Sequence, residues 1–312
     1  MNHVSMSWKN EQHVDILQTT MKKMGTIILD IRSGNTTLTK RKNKQAQIMV
    51  PITPVPTIDD IKLTLRQTVK GPRNDITGSC LLPDGRMIFS SYTSDQISVI
   101  KTDGTLDFTV QTGMYTSHIH FIEESQKLVV TTGSYNTFIQ IIDMKNRKTE
   151  KSINVGSENY GIDHKDGKLF YNGGSHGLYV VNLDDYSIKQ LVNVPLLMYS
   201  SIAVWSDQLY FINIDKSVSY CDLQGGVYWK LGLQAFLRDP RGITVDNYGR
   251  VYVSGYTSNN VIVISQDGKK HRILLSEEDG LQNPQPLCFD RKNNKLLVAN
   301  QRNGAFLNDV SK

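Results

Sequence analysis

The stretch DPRGITVDNYGRVYVSGYTSNNVIVISQDGK (239–269) decides the fold of this chain. Its apolar runs, VYV and VIVI, are short and are separated by polar segments rich in Asn, Asp and Gly. Turn residues of these types favour β-hairpins, because they reach positive φ at little cost. We therefore predict short antiparallel strands joined by tight turns.

The same pattern recurs along the chain with a fixed period. Turn residues Asp84, Ser125, Asp166, Asp207 and Tyr248 are 41 residues apart, and the sixth turn comes a few residues late in its period. An apolar strand follows each of these turns, in the segments PDGRMIF (83–89), ESQKLVV (124–130), KDGKLFY (165–171), SDQLYFI (206–212), NYGRVYV (247–253) and KNNKLLV (292–298). A second series of turns is interleaved with the first, so each period holds four strands, which is one blade of a β-propeller.

The two ends of the repeat region complement each other. The sixth period ends after its third strand, AFLN (305–308), whereas IKLTLRQTV (61–69) is an unpaired strand before the first period. Adding this strand to the last blade would close the ring and remove exposed sheet edges. We predict an all-β, six-bladed β-propeller at 57–312, closed by an N-terminal strand. An open sandwich is the alternative, but it would not require a constant period.

The blade sequence at 239–269 resembles the NHL repeats of the propeller that ends one branch of the tripartite-motif (TRIM) proteins. The resemblance covers the repeat region and implies a propeller that recognises a protein, as the substrate-recognition part of a ubiquitin ligase. The RING and B-box domains of that family carry Cys and His zinc ligands, and nothing in this sequence matches them. Ligase activity is therefore implied only where a longer product or a partner supplies it.

Residues 1–56 differ in composition from the repeat region. Apolar residues at Val14, Leu17, Met21, Met24, Ile28 and Ile31 follow a heptad spacing. We predict a short helical arm at 1–32, either a helix packed on another surface or, as the resemblance favours, a coiled coil that forms a homodimer. A basic, Pro-containing linker follows at 33–56.

Charge and cysteine usage narrow the functional classes. The net charge of +5 belongs to residues 1–54, with eight basic and three acidic side chains, while the remainder balances 27 against 27. Cys80, Cys221 and Cys288 form no CxxC pair and predict neither a zinc finger nor a disulfide framework. The N-terminus lacks an apolar signal core, and no apolar run approaches the roughly 20 residues that span a bilayer. We expect a cytoplasmic protein without membrane contact.

Binding residues on a rigid scaffold concentrate in its loops. The loops between second and third strands and those between blades share one face of a propeller, and they are rich in Tyr, Ser, Gly and Asn, as protein-recognition surfaces are. A second group of arginines falls on blades that are neighbours in the closed ring, and Arg suits carboxylates or phosphates. The predicted partner-binding residues are Tyr92, Tyr115, Tyr135, Tyr160, Tyr199, Tyr256, Arg73, Arg238, Arg241 and Arg302. For each tyrosine, the alternative is a structural role between blades.

We predict a non-catalytic module that binds a protein or peptide and needs no cofactor or metal. The first alternative is RNA binding, which requires basic residues interleaved with stacking aromatics. Only Lys216 and Arg302 are basic in the loops within blades, and the body is neutral. The second alternative is an enzyme resembling metal-dependent propeller lactonases or lyases. His118 and His120 are its best candidates, because strand positions i and i+2 face the same side, but a third ligand does not recur in the repeat.

Overall fold

The computed structural model describes residues 57–70, 75–302 and 304–311. These residues form six four-stranded antiparallel sheets, each one blade of a β-propeller. The predicted all-β, six-bladed fold is thereby confirmed. The predicted arm (1–32), the linker (33–56) and Arg73 lie outside the described residues and stay predictions.

Blades 1 to 5 each use four consecutive strands. Blade 1 contains β2 (Ile76–Leu81), β3 (Met87–Ser91), β4 (Gln96–Ile100) and β5 (Leu106–Gln111). Blade 2 contains β6 (Ile119–Ile122), β7 (Lys127–Thr131), β8 (Phe138–Asp143) and β9 (Lys148–Asn154). Blade 3 contains β10 (Ile162–Lys165), β11 (Lys168–Asn172), β12 (Leu178–Asn182) and β13 (Ile188–Val192). Blade 4 contains β14 (Ala203–Trp205), β15 (Gln208–Ile212), β16 (Val218–Asp222) and β17 (Val227–Leu231). Blade 5 contains β18 (Pro240–Val245), β19 (Val251–Gly255), β20 (Asn260–Ile264) and β21 (His271–Leu275).

Blade 6 joins the two ends of the repeat region. It contains β22 (Pro284–Asp290), β23 (Lys295–Asn300), β24 (Ala305–Ser311) and, as its outermost strand, β1 (Lys62–Val69). The antiparallel register of β1 on β24 runs from Lys62 opposite Ser311 to Val69 opposite Ala305. The predicted closing strand is confirmed, and it pairs the otherwise open edge of β24.

The hydrophobic core lies between blades. Six clusters of buried side chains each join neighbouring blades, and the first strand of every blade contacts the first strands of both neighbours. The cluster that joins blades 6 and 1 includes Val69, Met87, Phe89 and Leu297. A blade therefore buries its apolar faces only against its neighbours, which makes the ring one cooperative unit.

The tight turns adopt two different backbone conformations. Asp166 and Gly167 both have positive φ, at 48° and 70°, as predicted for an Asp-Gly hairpin turn. At Asp84 and Gly85 only the glycine has positive φ, at 87°. There the Asp84 carboxylate accepts the N–H of Arg86 at 3.0 Å, a side-chain turn that does not require positive φ at Asp84.

Helical structure is minor in the part of the chain that the structure describes. Three single 3-10 turns occur, at Ile58–Asp60, Gly174–His176 and Glu277–Asp279. Among the described residues, no helix has the length and apolar character needed to cross a membrane.

Candidate functional site

The propeller has two faces that differ in their connections. We call the loop face the one formed by the loops between second and third strands and by the loops between blades. The turn face carries the turns between first and second strands and between third and fourth strands. Nine of the ten predicted partner-binding residues are described; eight of these lie in loops of the loop face, and Arg241 lies near the start of β18, next to such a loop.

Exposed apolar side chains in loops concentrate on the loop face. In the described ranges, six of the seven large apolar side chains that are exposed in loops lie there, and only Tyr186 lies on the turn face. The six are Tyr115, Tyr135, Met198, Tyr199, Ile214 and Phe236. They follow one another around blades 2 to 5. Three of them were predicted from the sequence, whereas Met198, Ile214 and Phe236 were not. The sequence feature that could have indicated these three is an apolar residue within an otherwise polar loop.

Tyr115 and Tyr135 form an accessible aromatic pair on this surface. Their ring centroids are 5.5 Å apart and their planes are nearly perpendicular, which is a favourable edge-to-face arrangement. Their relative exposures are 47% and 55%. The two rings come from the β5–β6 loop, which enters blade 2, and the β7–β8 loop within that blade, so the fold of blade 2 brings them together. They present a rigid aromatic surface to solvent.

Tyr160 is placed differently from the prediction. It is fully buried, with its ring 5.2 Å from that of the exposed Tyr199. Its backbone N–H donates to the carbonyl of Asn172, which draws the end of the β9–β10 loop into the blade. Burial is the main cause that raises the pKa of the Tyr160 hydroxyl. Tyr160 supports Tyr199 from below and does not reach the surface, which corrects the prediction for this residue.

Tyr92 and Arg302 meet at the junction of blades 1 and 6. The Arg302 guanidinium donates to one oxygen of Asp75 at 2.7 Å, and the Tyr92 hydroxyl donates to the other at 3.1 Å. The hydrogen bond from Arg302 is the main cause that lowers the pKa of Asp75. Asp75 is nearly buried, so its negative charge is balanced by a side chain that is itself exposed.

Tyr256 and Arg241 continue this arrangement toward blade 5. The Tyr256 hydroxyl donates to the side-chain oxygen of Gln301, whose amide lies 3.5 Å from the Tyr92 hydroxyl. The Arg241 guanidinium stacks 3.8 Å from the centre of the Tyr256 ring and forms an ion pair with Asp239 at 3.0 Å. The structure thus places Arg241 and Arg302, from the neighbouring blades 5 and 6, in one arc with Tyr92 and Tyr256.

The arginines of this arc are mostly neutralised. Arg302 pairs with Asp75 and Arg241 pairs with Asp239, so neither carries a free positive charge. The Arg238 side chain is exposed, and its backbone N–H donates to the Ser258 hydroxyl at 3.1 Å. The loop face is therefore divided into an apolar part on blades 2 to 5 and a polar part, with paired charges, on blades 5, 6 and 1.

A cavity of about 360 Å³ lies at the centre of the ring. First strands of the blades supply its walls, and the lining reaches Pro83, Glu123 and Lys292, which follow first strands and so lie toward the turn face. His118 and His120 both line it, as their i and i+2 positions predict. Among the described residues, no group of three His, Cys, Asp or Glu is arranged to hold a metal ion.

The pKa values of the two histidines are shifted in opposite directions. Burial lowers the pKa of His118 to about 3, and nearby Arg241 adds to this effect. Burial also opposes the charged form of His120, but Asp163 lies 2.9 Å from its Nδ1 and the net effect is a raised pKa. Burial opposes the charge of Asp163 as well, yet the charge and hydrogen bond of His120 lower the pKa of that carboxyl. His120 and Asp163 thus form an ion pair in the wall, whereas His118 stays neutral.

Comparison with known proteins defines the class of this chain as a β-propeller. A model of the beta-propeller repeat (SBBP) matches residues 238–262, which overlap the stretch from which the fold was predicted. No curated protein matches the sequence.

Solved structures with the same fold include several enzymes. Virginiamycin B lyase from Staphylococcus aureus is 14% identical, with a TM-score of 0.58 over 81% of this chain and 100% of that chain. A gluconolactonase from Xanthomonas campestris is 14% identical, with a TM-score of 0.65 over 80% and 90% of the two chains. A PQQ-bound aldose sugar dehydrogenase from Streptomyces coelicolor is 12% identical, with a TM-score of 0.62 over 80% and 98%. Identity at this level shows a shared fold and transfers no activity to this chain.

Proposed function

We propose that this propeller is a non-catalytic binding module that recognises a protein or peptide through the apolar part of its loop face. The observation that carries the proposal is the concentration of exposed apolar loop side chains on this one face. Clustered exposed apolar residues mark interaction sites, whereas single ones are ordinary. Tyr115 and Tyr135 have the character of interface anchors, because aromatic rings bury much area at a small cost in side-chain entropy.

The polar part of the loop face favours a protein over RNA. RNA affinity rests on unpaired basic side chains that neutralise phosphates. Arg241 and Arg302 were candidates for phosphate binding on sequence grounds. In the structure they form ion pairs with Asp239 and Asp75. The resemblance of the blades to NHL repeats of tripartite-motif proteins extends the proposal: the bound protein is a substrate of a ubiquitin ligase whose RING domain is supplied by a partner or a longer product.

Capture of partners by two matched variants tests the proposal. The face variant carries Tyr115→Ser, Tyr135→Ser, Ile214→Ser and Phe236→Ser. The control variant carries four substitutions of exposed apolar residues on outer strands, at Leu106, Val227, Ile188 and Ile273. Each variant is immobilised and exposed to native lysate with and without nuclease. We expect the face variant to lose its protein partners and the control to retain them, regardless of nuclease.

Two results would contradict the proposal. Equal capture by the face variant, once its fold is verified by circular dichroism, would show that the apolar part is not the interface. Partners that disappear after nuclease treatment would instead support RNA binding and direct attention to Arg238 and the segment around Arg73.

A further inference from the structure

Two cysteines that are 208 positions apart in sequence meet in the wall of the central cavity. Cys80 lies in β2 and Cys288 in β22, the first strands of the adjoining blades 1 and 6. Cys288 packs against the core cluster that contains Cys80, and both sulfurs contact the backbone of Leu81. Both line the cavity, but Cys80 is buried and Cys288 is only half-buried. Cys288 is therefore the sulfur that a small molecule in the cavity can reach.

The backbone between the two sulfurs gives them different roles. The N–H of Leu81 points at Cys288 Sγ, at 3.3 Å, and favours a negative charge on that sulfur. The carbonyl of the same residue accepts from Cys80 Sγ at 3.6 Å and favours a proton there. The backbone of Leu81 accordingly favours loss of the proton at Cys288 and its retention at Cys80.

The charges around the pair act in the same direction. The neighbouring Cys80 thiol lowers the pKa of Cys288, burial opposes this effect, and the Leu81 N–H and the His120 charge add to the lowering. The neighbouring Cys288 and burial raise the pKa of Cys80. The titratable and charged groups that line the cavity with Cys288 are Cys80 on β2, His118 just before β6, His120 and Glu123 on or after β6, Asp163 on β10, and Asp290, Arg291 and Lys292 at or after the end of its own strand.

His118, which belongs to the cavity lining, is buried; its Nδ1 is 3.0 Å from the Ser117 hydroxyl, and its buried Nε2 has no hydrogen-bond partner among the described residues. A cavity of about 360 Å³ whose wall carries the His120–Asp163 ion pair and the two cysteines suits a small polar molecule. A low-molecular-weight hydroperoxide fits this description and is a substrate for thiolates.

We propose that the central cavity is a thiol-modification site, in which Cys288 reacts with a small hydroperoxide and Cys80 resolves the product to a disulfide. In the first step, the Cys288 thiolate attacks a peroxide oxygen. An S–O bond forms, the O–O bond breaks, the sulfur is oxidised to a sulfenic acid and the peroxide is reduced. With hydrogen peroxide, the departing hydroxide takes a proton and leaves as water. Cys80 then attacks Cys288 sulfur, the S–S bond forms, the S–O bond breaks, and a second water leaves with the Cys80 proton.

The product would link blade 1 to blade 6 covalently, at the closure that β1 secures by strand pairing and by the buried Val69. Cys221 provides an internal control, because it is buried between blades 3 and 4 and burial raises the pKa of its thiol to about 12. It is not part of the cavity lining.

Peroxide treatment of the full chain, followed by thiol blocking in denaturant and peptide mapping without reductant, tests the proposal. We expect a Cys80–Cys288 disulfide in the wild-type chain while Cys221 remains a blocked thiol. In Cys80→Ser, Cys288 should instead be captured as a sulfenic acid by dimedone. In Cys288→Ser, Cys80 should stay reduced, and Cys221→Ser should behave as wild type. His120→Gln should slow disulfide formation several-fold and move its pH profile upward.

A second measurement avoids dependence on variants that fail to fold. In the native wild-type chain, iodoacetamide should alkylate Cys288 faster than Cys80 or Cys221, with a half-maximal rate at a lower pH. Faster alkylation of Cys80 or Cys221 would overturn the assignment of Cys288 as the nucleophile. Oxidation of Cys288 without any link to Cys80 would overturn the role of Cys80.

Discussion

Arginine and aspartate side chains on the loop face are paired before any partner arrives. Asp75 holds both Arg302 and Tyr92, and Asp239 holds Arg241, which in turn stacks on Tyr256. These contacts fix the rotamers of long side chains, so binding would cost less entropy there. They also remove free charge from the face. These paired side chains therefore favour recognition of a partner by shape and apolar area.

A buried ion pair in blade 5 leads to a prediction about stability. Asp246 is fully buried, and it accepts from Arg250 Nε at 2.5 Å and from the Tyr252 hydroxyl at 3.0 Å. Arg250→Met would leave the Asp246 charge without its partner in the core, which typically costs about 3–5 kcal/mol. We expect the free energy of unfolding in urea to fall by that amount. Adding Asp246→Asn should recover part of the loss, and equal instability of the single and double variants would contradict this explanation.

His118 leads to a prediction about pH. Its pKa in the folded chain is about 3, against an ordinary value of 6.5. As the pH falls below 6.5, the unfolded chain gains a proton at this residue and the folded chain does not, so the free energy of unfolding decreases with acidification. Between pH 6 and 4, the wild-type chain should lose about 2 kcal/mol more than His118→Gln. Urea titrations at both pH values measure this difference, and parallel losses in the two chains would refute it.

The strands are held by their neighbours in the ring, and β1 shows this most directly. It is separated from β24 by almost the whole repeat region, yet it completes blade 6 and buries Val69 between blades 6 and 1. Its remaining residues are half-buried or exposed. The closure therefore depends on backbone pairing and on this one fully buried side chain.

Substitutions in β1 test this dependence. Val69→Asp places an unpaired charge in the core between blades 6 and 1 and should lower the free energy of unfolding by about 3 kcal/mol or more. Thr68→Asp, on the exposed side of the same strand, should change it by about 0.5 kcal/mol or less. Denaturant unfolding of the two variants provides the comparison, and similar effects at both positions would show that β1 does not close the core.

The periodic elements were predictable and the contacts between loops were not. A constant 41-residue spacing defines blades because turn chemistry and alternation are local properties of the chain. The pairing of Asp75 with Arg302 spans 227 positions and depends on how blade 6 meets blade 1. The sequence alone does not show that Tyr160 turns inward or that Cys80 meets Cys288, because these outcomes depend on packing between blades.

The propeller as a whole has no formal net charge. Residues after 54 carry equal numbers of basic and acidic side chains, and the exposed apolar side chains in loops lie almost entirely on one face. The central cavity, by contrast, has a lining that extends toward the turn face. A macromolecular partner on the loop face and a small molecule in the cavity would therefore use separate surfaces.

Salt dependence distinguishes the two classes of macromolecular partner. Binding through apolar and aromatic side chains should weaken by less than about threefold between 50 and 200 mM salt. An RNA complex with six or more phosphate contacts would weaken by about 10³-fold over the same range. Affinity of the captured partner for the full chain, measured at both salt concentrations, should show the weak dependence. A steep dependence would contradict recognition by the apolar part of the loop face.

Hydrogen exchange of the full chain with and without its captured partner tests the central claim most directly. Protection of backbone amides by the partner should appear in the loops at 112–118, 132–137, 193–202, 213–217 and 232–239, which carry the exposed apolar residues. Turn-face peptides around Pro83, Glu123 and Lys292 should exchange as in the free chain. Protection confined to those turn-face peptides would contradict the account and place the partner at the mouth of the central cavity.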